Sequence, residues 1–283
     1  MSQINEEGFL RRIQAGEKIE AADAMPEEYR HALLTLLEGQ TRGELLGAYH
    51  VIEWIAKAPS IQEKVVVAQI IRDEVRHAGV FCKCLEELGV DVENRVKKLD
   101  KIYDLTYAGS KKDASDTVET WAEFIAINFC LDRYSAYAIV EFEKSSYNPL
   151  AKACPSILRE EAMHINHGDV WVERLAKDPK TRQEVQQALN KWFPKTIDLF
   201  RPADSPIHKI YRKWGLMVRD YKELQEDFHK EIKERVACAG LQMPLWTPGG
   251  NKETNPPKNR LLPKIKRKIL GLLSHGIRIK CLR

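Results

Sequence analysis

Four Glu-x-x-His pairs punctuate the 283-residue chain: Glu28/His31, Glu74/His77, Glu161/His164 and Glu226/His229. On a helix, positions i and i+3 share a face, so each pair can offer a carboxylate oxygen and an imidazole nitrogen to one cation. With 27 Glu and 8 His in the chain, about one such pair arises by chance. Position relative to the chain breaks therefore has to choose among the four. Glu44 lies 15 residues before Pro59 and Glu74 lies 15 after it; in an antiparallel hairpin turning at Ala58-Pro59 they stand at one level. Asp132 and Glu161 are likewise equidistant from the break Ser145-Ser146-Tyr147-Asn148-Pro149. Glu28 begins its helix without a level partner, and Glu226 sits among Lys222, Glu223, Asp227 and Lys230, the pattern of a solvated face.

Two hairpins thus each bring one carboxylate opposite one Glu-x-x-His, and all six residues fall on apolar stripes that a bundle would bury. Ionised carboxylates do not stay buried alone; they need a proton, a partner or a cation. Such a set is the carboxylate site of ferritin-like di-iron and di-manganese bundles. Four carboxylates neutralise two Fe(II) ions, and oxygen with imidazole donors suits iron, or manganese as the alternative, better than zinc. The metal ligands expected are Glu44, Glu74, His77, Asp132, Glu161 and His164, with Glu74 and Glu161 bridging and Glu44 and Asp132 terminal. Asp73 is placed to hold a histidine of the other hairpin from outside, and Glu160 is its counterpart. Glu53, Glu123, Glu141 and Glu143 are off level across the turns, and His167 lies one turn beyond His164 in a supporting position.

The elements that must carry these residues read as long helices. Pro26 opens one that runs to about Lys57. Ser60, with Glu63 three residues on, looks like a capping box for a second, ending near Leu88. Residues 90–115 read as a looser connection. Further helices are expected at about Asp116–Lys144, Leu150–Ala176, 181–200 and 207–239. Strand-like alternation is nowhere sustained. The fold class is all-α: a ferritin-like four-helix bundle with additional C-terminal helices. The expected organisation is an N-terminal extension (1–25), the bundle with its added helices (26–245) and a basic tail (246–283).

Composition limits the partners. Residues 251–283 carry ten Lys/Arg and one acid, so the net charge of +4 combines a tail of +9 with a body of −5. That body is a poor nucleic-acid binder. The tail interleaves Leu261, Ile265, Ile269 and Leu273 with Lys264, Lys266, Arg267 and Lys268. A solvated extension or a subunit contact is the favoured reading of it, with a membrane surface as the alternative. No apolar run reaches the length of a spanning helix, and the polar N-terminus lacks a secretory h-region. Six cysteines form no disulfide framework, so a reduced, cytoplasmic protein is expected.

The segments MPEEYR, GELLG, IAKAPS, DEVRH, LDRYSAYAIV, SSYNPLAKA and EEAMHINHG, spread in order from Met25 to Gly168, carry a resemblance. The chain is similar, over about Met25 to Pro244, to the catalytic subunits of the phenylacetyl-CoA ring 1,2-epoxidases of bacterial phenylacetate degradation. The resemblance implies a multicomponent di-iron monooxygenase that reduces O2 and epoxidises the ring of an aromatic acyl-CoA. It also implies a flavin/iron–sulfur reductase, a related bundle subunit without the metal site, and ligand positions at Glu44, Glu74, His77, Asp132, Glu161 and His164. A benzoyl-CoA-type oxygenase, a ferroxidase and a metal-free structural partner are the other readings. Two departures bear on the substrate. Val75 and Arg76 replace two small residues of the family's Asp-Glu-Ala-Gly-His, bulk expected to reshape the pocket or its mouth. The usual C-terminal region also gives way to LLPKIKRKILGLLSHGIRIKCLR.

Overall fold

The structure is a computed structural model that describes residues 5–103, 118–200 and 205–247. The tail beyond 247 and the 104–117 part of the connection therefore lie outside the described residues. The described chain is all-α. Two units are distinguished, one built from Met1–Glu93 and Glu119–Pro244, the other from Asn94–Val118 and Leu245–Arg283. The first holds the bundle.

Four helices make that bundle: α2 (Glu27–Val51), α4 (Ile61–Glu87), α6 (Trp121–Glu143) and α7 (Asn148–Lys177). Their apolar stripes supply its core, with Leu33, Leu37, Ile70, Phe81, Ile125, Phe129, Leu150 and Ile157 almost fully buried. Ser60 caps α4 by accepting from Glu63 N–H at 3.2 Å, and Thr120 caps α6 by accepting from Glu123 N–H. The Glu63 side chain does not close the expected box; its carboxylate accepts from His167 Nε2–H at 2.8 Å instead. Helices α6 and α7 approach so closely that a Cβ on Gly168 would stand 2.9 Å from Phe129 Cα.

Three expected boundaries are corrected. The first long helix ends at Val51, and the short α3 (Trp54–Lys57) follows a turn in which Ile55 N–H reaches Ile52 O at 3.4 Å. The looser connection begins with a helix, α5 (Val92–Tyr103), foreshadowed by apolar residues at 92, 96 and 99. Finally, 207–239 is two helices, α9 (Pro206–Lys213) and α10 (Tyr221–Cys238), separated where Gly215 takes φ +64° and Asp220 starts a capping box with Glu223. A left-handed residue ends one helix and a fresh cap begins the next.

The remaining elements brace the second hairpin. Helix α1 (Glu6–Gln14) sets Phe9 against Tyr29 and Trp214 at ring distances of 5.0 and 5.9 Å. Tyr29 Oη lies 3.1 Å from Ser146 Oγ, which donates to Trp214 O. Ile19 bridges to Tyr147. The turn that levels Asp132 with Glu161 is thereby fixed by three separate segments. Helix α8 (Arg182–Ile197) packs Phe193 against Phe228 of α10.

Candidate metal centre

Each bundle helix delivers its carboxylate to one level. Glu44 comes from α2, Glu74 and His77 from α4, Asp132 from α6, Glu161 and His164 from α7. Glu44, Glu74, His77, Glu161 and His164 are all buried. His77 directs Nδ1 at Glu161 Oε1 (3.4 Å) and Glu44 Oε2 (3.7 Å). His164 directs Nδ1 at Glu74 Oε1 (3.4 Å) and Glu161 Oε2 (3.8 Å). One donor atom from each of Glu44, Glu74, His77 and Glu161 falls within 4.8 Å of the others. Asp132 stands outside that foursome, beside His164, Glu161 and Glu74, whose charges act on it.

The polar atoms at this level are what distinguish it from an ordinary core. His77 Nδ1, both ring nitrogens of His164, both oxygens of Glu161, Asp132 Oδ2 and Asp73 Oδ2 are buried and lack a hydrogen-bond partner. Isolated atoms of this kind also occur elsewhere in the chain, at Tyr147 Oη and Trp192 Nε1 among others, as native interiors carry a few. Here several converge, at separations too long for hydrogen bonds and suited to donors that share a cation. Burial raises the Glu44 carboxyl to about 8, aided by the charges of Glu74 and Glu161 and opposed by His77. Burial likewise pushes Asp132 and Glu161 upward. Burial works against the charged form of His77, yet Glu161 and Glu44 overcome it and raise the ring to about 10. Against the same burial, Glu74, Asp132 and Glu161 raise His164 to about 9. The protein alone satisfies this cluster only by holding protons, and metal ions would take their place.

Outside the ring of donors, the opposite nitrogens are attended. His77 Nε2–H donates to Glu160 Oε2 at 2.8 Å, and His164 Nε2 faces Asp73 Oδ2 at 3.6 Å. The remaining candidates lie elsewhere. Glu28 accepts from Trp214 Nε1–H and pairs with Lys213, while Glu226 pairs with Lys222 on the surface. Glu123 pairs with Lys191. Glu141 is buried but accepts the Val218 and Arg219 N–H groups. Trp121 stacks on Phe124 and meets Trp171 edge-on, an apolar wall beyond the site.

Two contributors carry no obvious mark in the sequence. Gly47 follows Glu44 by three residues, and a Cβ there would lie 3.0 Å from Glu74 Oε2, so the missing side chain makes room for that carboxylate. Arg76 grips Glu160. Val75 is exposed and Arg76 is turned to the α7 flank, so the added bulk of DEVRH points away from the cluster. The expected reshaping of the pocket or its mouth would therefore come from outside the cluster, through the Arg76–Glu160 pair.

An all-α bundle with a buried, proton-demanding set of four carboxylates and two histidines defines a class, the carboxylate–histidine helical bundles. Within it, the chain belongs to the phenylacetic acid catabolic protein family, whose model matches residues 1–255. It is 26% identical over 245 residues to one of the subunits of the 1,2-phenylacetyl-CoA epoxidase of Escherichia coli, a match covering 84% of this chain and 77% of that protein. It is 25% identical over 235 residues to the benzoyl-CoA oxygenase component B of Aromatoleum evansii, across 73% of this chain and 48% of that protein. Both relatives are named as one part of an oxygen-using enzyme. Among the described residues, no helix is long and apolar enough to cross a membrane.

Proposed function

We propose that this chain is the catalytic subunit of a multicomponent di-iron monooxygenase that epoxidises the ring of an aromatic acyl-CoA such as phenylacetyl-CoA. The observation that carries the reading is the convergence of partnerless buried donor atoms from all four bundle helices. Glu44 and His77 would hold one ion and Asp132 and His164 the other. Glu161 faces both histidines, one oxygen to each, and Glu74 lies in reach of both halves, which supports these two as the bridging pair. These residues would hold two iron ions, which would supply the chemistry that reduces O2 with electrons from a flavin/iron–sulfur reductase.

The chain's own residues have narrower tasks. Glu160 accepts a hydrogen bond from His77 Nε2–H, which would leave Nδ1 as a lone-pair donor toward the site, while Asp73 Oδ2 stands 3.6 Å from His164 Nε2. Trp54, Trp121, Phe124 and Trp171 pack on one another about two to three turns along the bundle from the cluster. Each relative is by name only one member of a larger enzyme, which supports a second, related bundle protein as partner.

An anaerobic Fe(II) titration of the purified chain, beside a Glu74→Ala/Glu161→Ala variant, tests the reading. Two irons per chain, lost in the variant, are expected. The loaded chain with a reductase and the partner protein is then expected to turn over phenylacetyl-CoA or benzoyl-CoA in an O2-dependent reaction. The near-equal identity to both relatives is the reason to offer both substrates. Iron oxidation without an acyl-CoA product would make the chain a ferroxidase, and no iron uptake would end the enzyme reading.

A further inference from the structure

Glu160 is an insecure support for a buried histidine, because its side chain is 31% exposed and water competes for its oxygens. Three donors nevertheless converge on the same atom, Oε2: His77 Nε2–H at 2.8 Å, Arg76 Nε–H at 3.0 Å and Arg76 Nη2–H. The other half of the centre is built differently. Asp73 is fully buried, and its Oδ1 takes Arg72 Nε–H and Nη2–H at 3.0 and 2.7 Å while Oδ2 faces His164. Arg72 itself is 70% exposed. The two arginines stand one turn apart on α4 and grip the outer carboxylates of different histidines. Asp73 is confined by burial, with both Arg72 donors on its Oδ1, so loss of Arg72 would leave that carboxylate buried and unpaired. Glu160 has no such confinement; without Arg76 the His77 N–H would be its remaining hydrogen bond, with Arg72 acting on it through charge alone.

We propose that Arg76 is a positioning residue of the metal centre, acting through Glu160 to hold the His77 ring with Nε2 donating outward and Nδ1 aimed at Glu44 and Glu161. The two arginines therefore act on different histidines: Arg76 through Glu160 on His77, and Arg72 through Asp73 on His164. The inference rests on the reading of His77 as a metal ligand. The planar fork of the guanidinium matters here, since it presents two N–H groups to one carboxylate, and an ammonium lacks that geometry.

Co(II) is a suitable probe, because its visible bands report ligand geometry apart from catalysis. The full chain and its Arg76→Ala, Arg76→Gln, Arg76→Lys and Arg72→Ala variants would be titrated anaerobically, with thermal midpoints taken on the metal-free proteins. The parent is expected to bind two Co(II). Arg76→Ala should weaken one of them about tenfold, the lower end of the usual loss when a ligand's outer partner is removed, and shift the bands of that ion alone. Arg76→Lys should restore less than half of the loss, and any loss in Arg72→Ala should fall on the other ion, whose bands Arg76→Ala leaves unchanged. Arg76→Gln keeps most of the stem and serves in place of the alanine variant should that one fail to fold. Parental affinity and spectrum in a folded Arg76 variant would overturn the proposal, as would a loss in Arg72→Ala on the same ion with the same band shift. Failure of the parent to bind Co(II) would instead bring down the metal reading itself, and this inference with it.

Discussion

Asp132 and Arg133 are neighbours on α6, and they anchor two buried charge clusters of opposite kind. Arg133 is 1% exposed, yet every nitrogen is used: Nε–H donates to Glu231 Oε1 at 2.7 Å, Nη1–H to Phe129 O at 2.6 Å, and Nη2–H to Asp169 Oδ1 at 2.6 Å. Tyr137 Oη–H donates to the other oxygen of Glu231, and Arg235 lies 3.5 Å from the other oxygen of Asp169. The guanidinium also rests on the Phe129 ring. Charges and donors close within the protein. On the adjacent face of the same helix, Asp132 joins three other carboxylates and two histidines whose inward atoms do not close. A buried charge that the protein satisfies fully is part of the fold. One that it satisfies only by protonation is arranged for something from outside.

That contrast is broken most directly at Arg133. Replacing it by Ala removes the cation that Asp169 and Glu231 share and leaves Asp169 with Arg235 alone, a change that costs about 3–5 kcal/mol when a buried pair loses one partner. The lower end is expected, because Glu231 is about one-third exposed and water takes up part of the deficit. Urea unfolding of the metal-free chain measures it. A cost below about 1 kcal/mol would mean that the Arg133 network is not what closes this face of the bundle.

The second, smaller effect is a pH dependence that belongs to one cluster only. Glu44 is raised from 4.5 to about 8, so between those values the folded chain holds a proton that the unfolded chain has lost, and stability falls as pH rises. His77 and His164 are raised from 6.5 to about 10 and 9. Their contribution is complete below 6.5 and disappears as pH climbs through 9 and 10. Both terms have the same sign. The thermal midpoint of the metal-free chain is expected to drop by roughly 5 °C between pH 6 and 9, on the order of 1–2 kcal/mol for a chain of this size. Mn(II) replaces the protons, so its stabilising effect should grow over the same interval. Arg133→Ala lowers the whole curve without changing its slope. A flat metal-free profile would remove the distinction between the clusters.

Much of this arrangement is legible in the sequence because it follows from helix arithmetic. Equal residue counts on either side of Pro59 and of the Ser145–Pro149 break bring Glu44 level with Glu74 and Asp132 level with Glu161, since every residue adds the same rise. The same arithmetic sets aside Glu28, and the charges around it set aside Glu226; the structure ties them to Lys213 and Lys222. What escapes it is what depends on contacts between helices or on local competition. Spacing pairs Glu63 with Ser60 in a capping box, but a histidine from α7 offers that carboxylate a stronger partner than the backbone does. Arg76 reads as bulk beside a ligand, because periodicity along α4 says nothing of the carboxylate that α7 presents to it. The split between α9 and α10 is marked by Gly215 and by Asp220-x-x-Glu223, cues overshadowed by the helical spacing on either side.

Gly47 offers the finest separation between fold and site, because its substitution should move one without the other. It lies inside α2, where exchanging Gly for Ala favours the helix by up to about 1 kcal/mol. The added Cβ would sit 3.0 Å from Glu74 Oε2, the far end of a flexible side chain that can swing aside cheaply. Gly43, one turn earlier on the same helix, has nothing within 4 Å of the equivalent position. The two alanine variants should therefore gain stability to within about 0.5 kcal/mol of each other, since both draw on the same helix propensity. Only Gly47→Ala displaces a carboxylate from the cluster, so only it should weaken Mn(II) binding, by about tenfold, the size of loss that follows when a ligand is misplaced rather than removed. Equal Mn(II) affinity in both variants would mean that Glu74 serves the metal from a position that Gly47 does not guard.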